Sequence, residues 1–80
     1  MIILRRNFYH KICKNPQMYA TDTMTFDSII QAKDFCYQTY RYGYSTMEIP
    51  RHMVNLPTNM QLIVYESPVC RVECYLEFIQ

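Results

Sequence analysis

Strict alternation of two sets of side chains over residues 70–78 is the clearest pattern in the chain. A period of two is that of a β-strand, in which successive side chains point to opposite faces. The apolar set is Cys70, Val72, Cys74, Leu76 and Phe78, and the other set is Arg71, Glu73, Tyr75 and Glu77. The pattern therefore predicts a strand with one face in the core and the other in water.

Four earlier segments are also predicted to be strands, because they combine β-forming residues with turn signals at their ends. They are residues 2–13, 18–23, 45–49 and 60–65. Turns are predicted at Asn15-Pro16 and at Ser67-Pro68. Residues 51–58 are predicted to form an irregular crossing between two strands.

One segment, residues 26–41, has the period of an amphipathic helix. Its predicted apolar face contains Ile29, Cys36 and Tyr40 with Ala32, Ile30 and Tyr37 on its flanks, and Asp34 and Gln38 lie opposite. Thr25 is the predicted N-cap, and Met24 and Ile29 are predicted to form a hydrophobic staple. Gly43 is expected to take the left-handed conformation that ends many helices.

The element order ββαβββ predicts the fold class. Strands joined by short turns favour an antiparallel sheet, and a single amphipathic helix can cover only one of its faces. Eighty residues are enough for one domain with one modest core. The sequence therefore predicts an α+β domain over residues 1–80, in which an antiparallel sheet of four to five strands packs against one helix.

The apolar runs of the chain are short. The run at residues 1–4 is followed at once by Arg5 and Arg6, and the run at residues 62–65 is equally short. Neither run has the length of a signal-peptide core or of a membrane span. We therefore expect a soluble cytoplasmic protein without a membrane partner.

The four cysteines are expected to be reduced and to bind no metal. Cys70 and Cys74 share a strand face but would lie roughly 13 Å apart, too far to ligate one zinc ion. His10 and Cys13 have tolerable ligand spacing but no second pair nearby in the sequence. The favoured interpretation is that Cys36, Cys70 and Cys74 are small core residues between helix and sheet.

No constellation in the sequence predicts catalysis. A cysteine nucleophile needs a base, and neither His10 nor His52 lies in a recognisable motif. Glu73 and Glu77 share a solvent face without an implied cleft, and there is no glycine-rich phosphate loop. We therefore expect a protein that is not an enzyme and carries no cofactor.

Tyrosine is the most unusual part of the composition, with eight tyrosines and no tryptophan. Four of them fall within residues 37–44. Tyrosine and arginine are enriched at protein–protein hot spots, so Arg41, Tyr42 and Tyr44 are predicted to bind a partner. The alternative is that Tyr37 and Tyr40 belong to the core and that Tyr42 and Tyr44 fill the end of the sheet.

Charge is uneven along a chain whose net charge is only +1. Residues 1–21 carry four cations and no acid, and seven acids follow among the remaining residues. Arg5, Arg6, Tyr9 and Lys11 are predicted to contact a partner, either a protein or a nucleic acid. The second function hypothesis is therefore a small nucleic-acid-binding domain. A solvated edge strand is the simpler interpretation, and alternation would place Arg5 and Arg6 on opposite faces.

The overall plan is a compact Tyr- and Met-rich chain with a strand hairpin, the helix TFDSIIQAKDFCYQTY and the terminal strand VCRVECYLEFIQ. In this plan the chain resembles small phage-encoded anti-defence proteins of the anti-CRISPR or antitoxin-like kind. The resemblance implies a stoichiometric inhibitor in the host cytoplasm that blocks a host nuclease or effector complex. The basic hairpin or the tyrosine segment would form the contact, and a homodimer through paired edge strands stays open.

Overall fold

A computed structural model describes residues 1–11 and 15–80. Its elements are β1 (Ile2–His10), β2 (Gln17–Phe26), α1 (Ile29–Tyr40), β3 (Ser45–Ile49), α2 (Arg51–Val54), β4 (Met60–Glu66) and β5 (Cys70–Phe78). The predicted α+β fold with an antiparallel sheet and one main helix is confirmed. In the described residues, no helix has both the length and the apolar character needed to cross a membrane.

The five strands form one antiparallel sheet in the order β2-β1-β5-β4-β3. The first and last strands of the chain are therefore neighbours inside the sheet, where Ile2 lies opposite Phe78. The amino group of Met1 donates a hydrogen bond of 3.1 Å to the carbonyl oxygen of Ile79. β2 and β3 are the two edges.

The core lies between α1 and the central strands. Leu4, Leu76, Cys36 and Cys74 have no exposed surface. The alternation of the last strand is confirmed, since Cys74, Leu76 and Val72 are buried beneath the helix. Burying such side chains supplies most of the free energy that a domain of this size has for folding.

α1 begins three residues later than the pattern predicted. Thr25 and Phe26 continue β2 and lie opposite Ile3 and Ile2 of β1, so the predicted Thr25 cap and the Met24–Ile29 staple are wrong. Pairing with a neighbouring strand decided this boundary, and a local cap signal cannot report such pairing.

Ser28 is the N-cap of α1. Its Oγ accepts a hydrogen bond of 3.3 Å from the backbone N–H of Gln31. The side-chain oxygen of Gln31 in turn accepts from the N–H of Asp27 at 3.1 Å. This arrangement resembles a capping box. The difference is that the side chain of Gln31 accepts from the N–H of Asp27, one residue before the N-cap, and not from the N–H of Ser28 itself.

The buried face of α1 consists of Ala32, Cys36 and Tyr40. Ile30 and Tyr37, predicted on the flanks of that face, are exposed. Gly43 does adopt a left-handed conformation, with φ of 79°, two residues beyond the C-cap.

The predicted irregular crossing at residues 51–58 contains a short helix, α2. It ends at Asn55, which takes the left-handed conformation. The guanidinium of Arg51 donates to the carbonyl oxygen of Thr58 and so ties the helix to the loop that enters β4. The predicted extension of the first strand to Cys13 falls partly on residues 12–14, which lie outside the described residues.

Candidate functional site

The chain leaves α1 at Tyr40 and enters β3 at Ser45. In between, the left-handed Gly43 reverses the backbone, a conformation that side-chain-bearing residues rarely adopt. This short connection holds the tyrosine-rich segment at one end of the sheet, beside β4.

Buried tyrosines form the floor of this region. The rings of Tyr40 and Tyr65 are stacked with centroids 4.6 Å apart, and Tyr44 meets Tyr40 edge-on at 5.2 Å. The Tyr40 hydroxyl accepts a hydrogen bond of 3.1 Å from the guanidinium of Arg6. Burial raises the pKa of Tyr40 to about 12. The floor is therefore a neutral aromatic cluster whose central hydroxyl is already hydrogen-bonded.

Exposed side chains lie beside that floor: Tyr37 and Arg41 line a cavity with it, and Tyr42 packs against Arg41. Tyr37 is 61% exposed and Tyr42 is 76% exposed. The guanidinium of Arg41 lies over the ring of Tyr42, 4.8 Å from its centroid. We call the group of Tyr37, Tyr40, Arg41, Tyr42, Tyr44 and Tyr65 the tyrosine surface. The tyrosine surface therefore combines tyrosine rings that pack against one another with tyrosine rings that are exposed to solvent.

Two adjoining cavities open on the tyrosine surface, and Tyr44 lines both. The smaller, of about 180 Å³, is lined by Tyr37, Tyr40, Arg41, Tyr44, Thr46 and Tyr65. The larger and shallower, of about 480 Å³, is lined by Lys11, Gly43, Tyr44, Ser45, Glu66, Ser67 and Pro68. The structure thus brings Lys11 of the N-terminal hairpin to the border of the tyrosine surface.

The charge of Lys11 is already partnered at this border. Its Nζ lies 3.5 Å from a carboxylate oxygen of Glu66 and donates to the carbonyl oxygen of Ser67 at 3.2 Å. The ammonium therefore fixes the β4–β5 turn as well as lining the cavity.

Arg6 lies beneath the tyrosine surface instead of on it. Its side chain is 13% exposed, and both ends of the guanidinium fork donate to the carboxylate of Asp22. The guanidinium also lies over the rings of Phe8 and Phe35, at 5.0 and 5.3 Å from their centroids. The hydrogen bond that Arg6 donates to Asp22 raises the pKa of Arg6 still further above its usual value. Arg6 therefore acts inside the fold, where it holds Tyr40.

Arg5 and Tyr9 lie on the other face of the sheet, which the helix does not cover. The predicted separation of Arg5 from Arg6 is confirmed by the register of β1. The Tyr9 hydroxyl donates to Glu73 at 2.9 Å. Burial, followed by that hydrogen bond, raises the pKa of Tyr9.

Around Glu73 lies a polar network that the sequence did not reveal. Arg71 bridges Glu66 and Glu73 at 3.2 and 3.1 Å, and the Tyr75 hydroxyl donates to Glu73 at 3.4 Å. We call Tyr9, Lys11, Glu66, Arg71, Glu73 and Tyr75 the open-face network. The sequence indicated only that alternate residues of β5 are polar or charged. That alternation predicts the sheet face on which they lie, but not the residues of neighbouring strands with which they pair.

The cysteines and histidines that the structure describes do not converge on a site. Cys36 and Cys74 interact across the helix–sheet interface, and their hydrogen bond, together with burial, raises the pKa of Cys74. Cys70 is only half-buried, and Cys13 lies outside the described residues. His10 stacks on Tyr19 with ring centroids 3.9 Å apart. In residues 1–11 and 15–80, no group of three or more potential ligands could hold a metal ion.

Comparison of the chain with protein-family models gives no match, and neither does comparison with curated proteins or with solved structures.

Proposed function

We propose that this chain is a non-enzymatic, protein-binding inhibitor whose contact with its partner is the tyrosine surface. The observation that carries the proposal is the pairing of exposed Tyr42 with Arg41, which lines a small cavity together with the stacked rings of Tyr40 and Tyr65. Tyrosine and arginine side chains of this kind supply a large share of the binding energy at protein interfaces.

The rigid floor favours binding because few side chains have to be ordered when a partner arrives. Tyr40 and Tyr65 are stacked in the unbound chain, and Tyr44 is held against Tyr40. The cavity between them, about 180 Å³, is smaller than the roughly 300–1,000 Å³ of pockets that enclose small ligands. It suits a side chain that projects from a partner protein.

The resemblance in plan to small phage anti-defence proteins supplies the class of partner to test first. An inhibitor of that class acts by occupying a surface of a host nuclease or effector complex, so it needs no active site. The proposed partner is therefore a host nuclease or effector complex of bacterial defence, bound at a fixed stoichiometry in the host cytoplasm.

The pairing of the cations favours a protein partner over a nucleic acid. Arg6, Lys11 and Arg71 each form an ion pair with a carboxylate. A cation that is already neutralised contributes less to the counterion release that drives nucleic-acid binding. Binding to RNA or DNA stays a prediction of the second hypothesis, and it requires an affinity that falls steeply with salt.

The test is capture of partners by the immobilised chain from bacterial lysates and from a panel of purified defence nucleases. We expect a stoichiometric complex and loss of nuclease activity. Changing Arg41, Tyr42 and Tyr44 to Ala should abolish both effects while the circular dichroism spectrum stays unchanged. The matched control is Arg5→Ala, an exposed cation on the opposite face, which should bind as the natural chain does. Absence of a stoichiometric partner would refute the proposal.

A further inference from the structure

The outer side of β2 is an open edge of the sheet. Among the strands of residues 1–11 and 15–80, β2 is terminal in the sheet and pairs with β1 alone. Among the described residues, no backbone group of β2 has a partner outside β1. Alternate backbone N–H and C=O groups of an edge strand point away from the sheet and can pair with another strand.

β2 also lacks several of the features that usually protect such an edge. Its sequence, QMYATDTMTF, contains neither lysine nor proline. Its single charged residue, Asp22, is bound to Arg6 of the neighbouring strand. The other edge, β3, is half as long, carries the exposed Glu48 and is followed directly by Pro50. Since charge, proline and short length all discourage pairing, β2 is the edge suited to another strand.

A bulge limits the part of β2 that can pair regularly. The register between β1 and β2 shifts after Phe8, which lies opposite Ala20, and Tyr19 is left without a partner. From Ala20 to Phe26 the register is uninterrupted. Thr23 is the middle residue of this regular stretch.

We infer that two copies of the chain pair through β2, antiparallel, about a two-fold axis at Thr23. This register uses the whole regular stretch and sets Thr23 opposite the partner's Thr23. It sets Thr21 opposite the partner's Thr25, and threonines directly opposite each other on an antiparallel pair stabilise it. Asp22 faces the partner's Met24, so the one charged residue of the strand does not meet its own copy.

The symmetry of this pairing has a consequence for the tyrosine surface. A two-fold axis perpendicular to the sheet keeps both helices on one face, and it joins the two sheets into one. The two tyrosine surfaces then point to the same side, near opposite ends of the joined sheet. If the proposed function holds, the dimer is a bivalent inhibitor, whereas the pairing itself does not depend on that function.

The first experiment measures molar mass by sedimentation velocity, from micromolar to near-millimolar concentration. We expect a reversible dimer, because an interface made mainly of one strand pair is smaller than that of a tight complex. Thr23→Lys should give a monomer, since the two lysines would meet at the axis. Met47→Lys, which places the same charge on the exposed β3 edge, should leave the dimer intact. Circular dichroism checks that both variants are folded.

A second experiment tests the register. Under mild oxidation, Thr23→Cys should form a disulfide between two copies, because residues opposite each other across antiparallel strands lie within disulfide reach. Thr21→Cys should not, since it faces the partner's residue 25. Mass mapping of the linked peptide separates this bond from those of the natural cysteines.

Three results would overturn the inference. The first is a chain that stays monomeric at every concentration, even if β2 then pairs with a different protein. The second is a dimer that survives Thr23→Lys. The third is disulfide formation between copies that is equally fast in Thr21→Cys and Thr23→Cys. Loss of the dimer in Thr23→Lys without loss of partner capture would support it and leave the tyrosine surface as a separate site.

Discussion

The tyrosine surface and the open-face network are built from similar side chains but differ in how those side chains are satisfied. In the open-face network, Arg71 bridges Glu66 and Glu73, and the hydroxyl of Tyr9 donates to Glu73. At the tyrosine surface, Tyr37 and Tyr42 present most of their surface to solvent. Arg41 there forms no ion pair in the described part of the chain.

The difference shows what distinguishes a candidate interface from a stable surface. Polar groups that already bind one another must be separated from their partners before they can bind a third group, and this costs free energy. Exposed rings lose only water when a partner covers them, which is favourable. The tyrosine surface therefore has more binding energy available than the open-face network, although the latter carries more charge.

The largest expected effect is on binding. Tyr42→Ala should weaken partner binding by about 30-fold, the effect of losing one hot-spot residue. Its matched control is Tyr19→Ala, which removes another exposed tyrosine at the tip of the N-terminal hairpin. We expect the control to bind normally in titration calorimetry. The reverse result would move the contact to the hairpin.

The next effect concerns the support beneath the tyrosine surface. Arg6→Ala should lower the free energy of unfolding by about 2 kcal/mol, because it removes charged hydrogen bonds to Asp22 and leaves that carboxylate half-exposed and unpaired. Arg6→Lys should restore part of the loss, since a lysine keeps the charge but not the planar fork. Urea unfolding measures both variants, and an unchanged midpoint for Arg6→Ala would contradict the account.

A smaller effect is expected from the hydroxyl of Tyr40. Tyr40→Phe should cost about 1 kcal/mol of stability, because the Arg6 guanidinium loses one acceptor while the ring stacking remains. Partner binding should change little. A large loss of binding would mean that the partner, and not only Arg6, uses this hydroxyl.

The same hydroxyl makes stability depend on pH at the alkaline end. Folding raises the pKa of Tyr40 from 10.0 to about 12, so the folded state retains a proton that the unfolded state releases between these values. Stability from this group is fully present below pH 10 and declines as the pH rises toward 12. Unfolding midpoints across this range should fall less steeply for Tyr40→Phe than for the natural chain.

The smallest effect is expected in the open-face network. Arg71→Ala should change stability by only about 0.5 kcal/mol, because Arg71 and Glu66 are about one-third exposed to water and the more buried Glu73 keeps the hydrogen bonds from Tyr9 and Tyr75. Partner binding should not change at all. A loss of binding comparable with that of Tyr42→Ala would remove the distinction between the two regions.

The sequence predicted those parts of the fold that depend on local periodicity. The alternation around Cys74 identified the last strand and its buried face, and the parity of β1 placed Arg5 and Arg6 apart. The cap at Ser28 was missed because Thr25 offers the same local chemistry. Only the pairing of Phe26 with Ile2, distant along the chain, shows that β2 continues past Thr25.

The candidate site was predictable in composition but not in arrangement. The density of tyrosine in residues 37–44 pointed to Arg41, Tyr42 and Tyr44. The contribution of Tyr65 depends on the sheet bringing β4 beneath the end of α1. The interior position of Arg6 depends on the register that sets it opposite Asp22, and composition carries no information about that register.

The most direct test of the central claim is hydrogen exchange of the chain with and without its captured partner. We expect slower exchange at residues 37–46 in the complex and unchanged exchange at residues 71–77. Protection of residues 71–77 with none at residues 37–46 would contradict this expectation, because the partner would then bind the face on which Arg71 already pairs with Glu66 and Glu73.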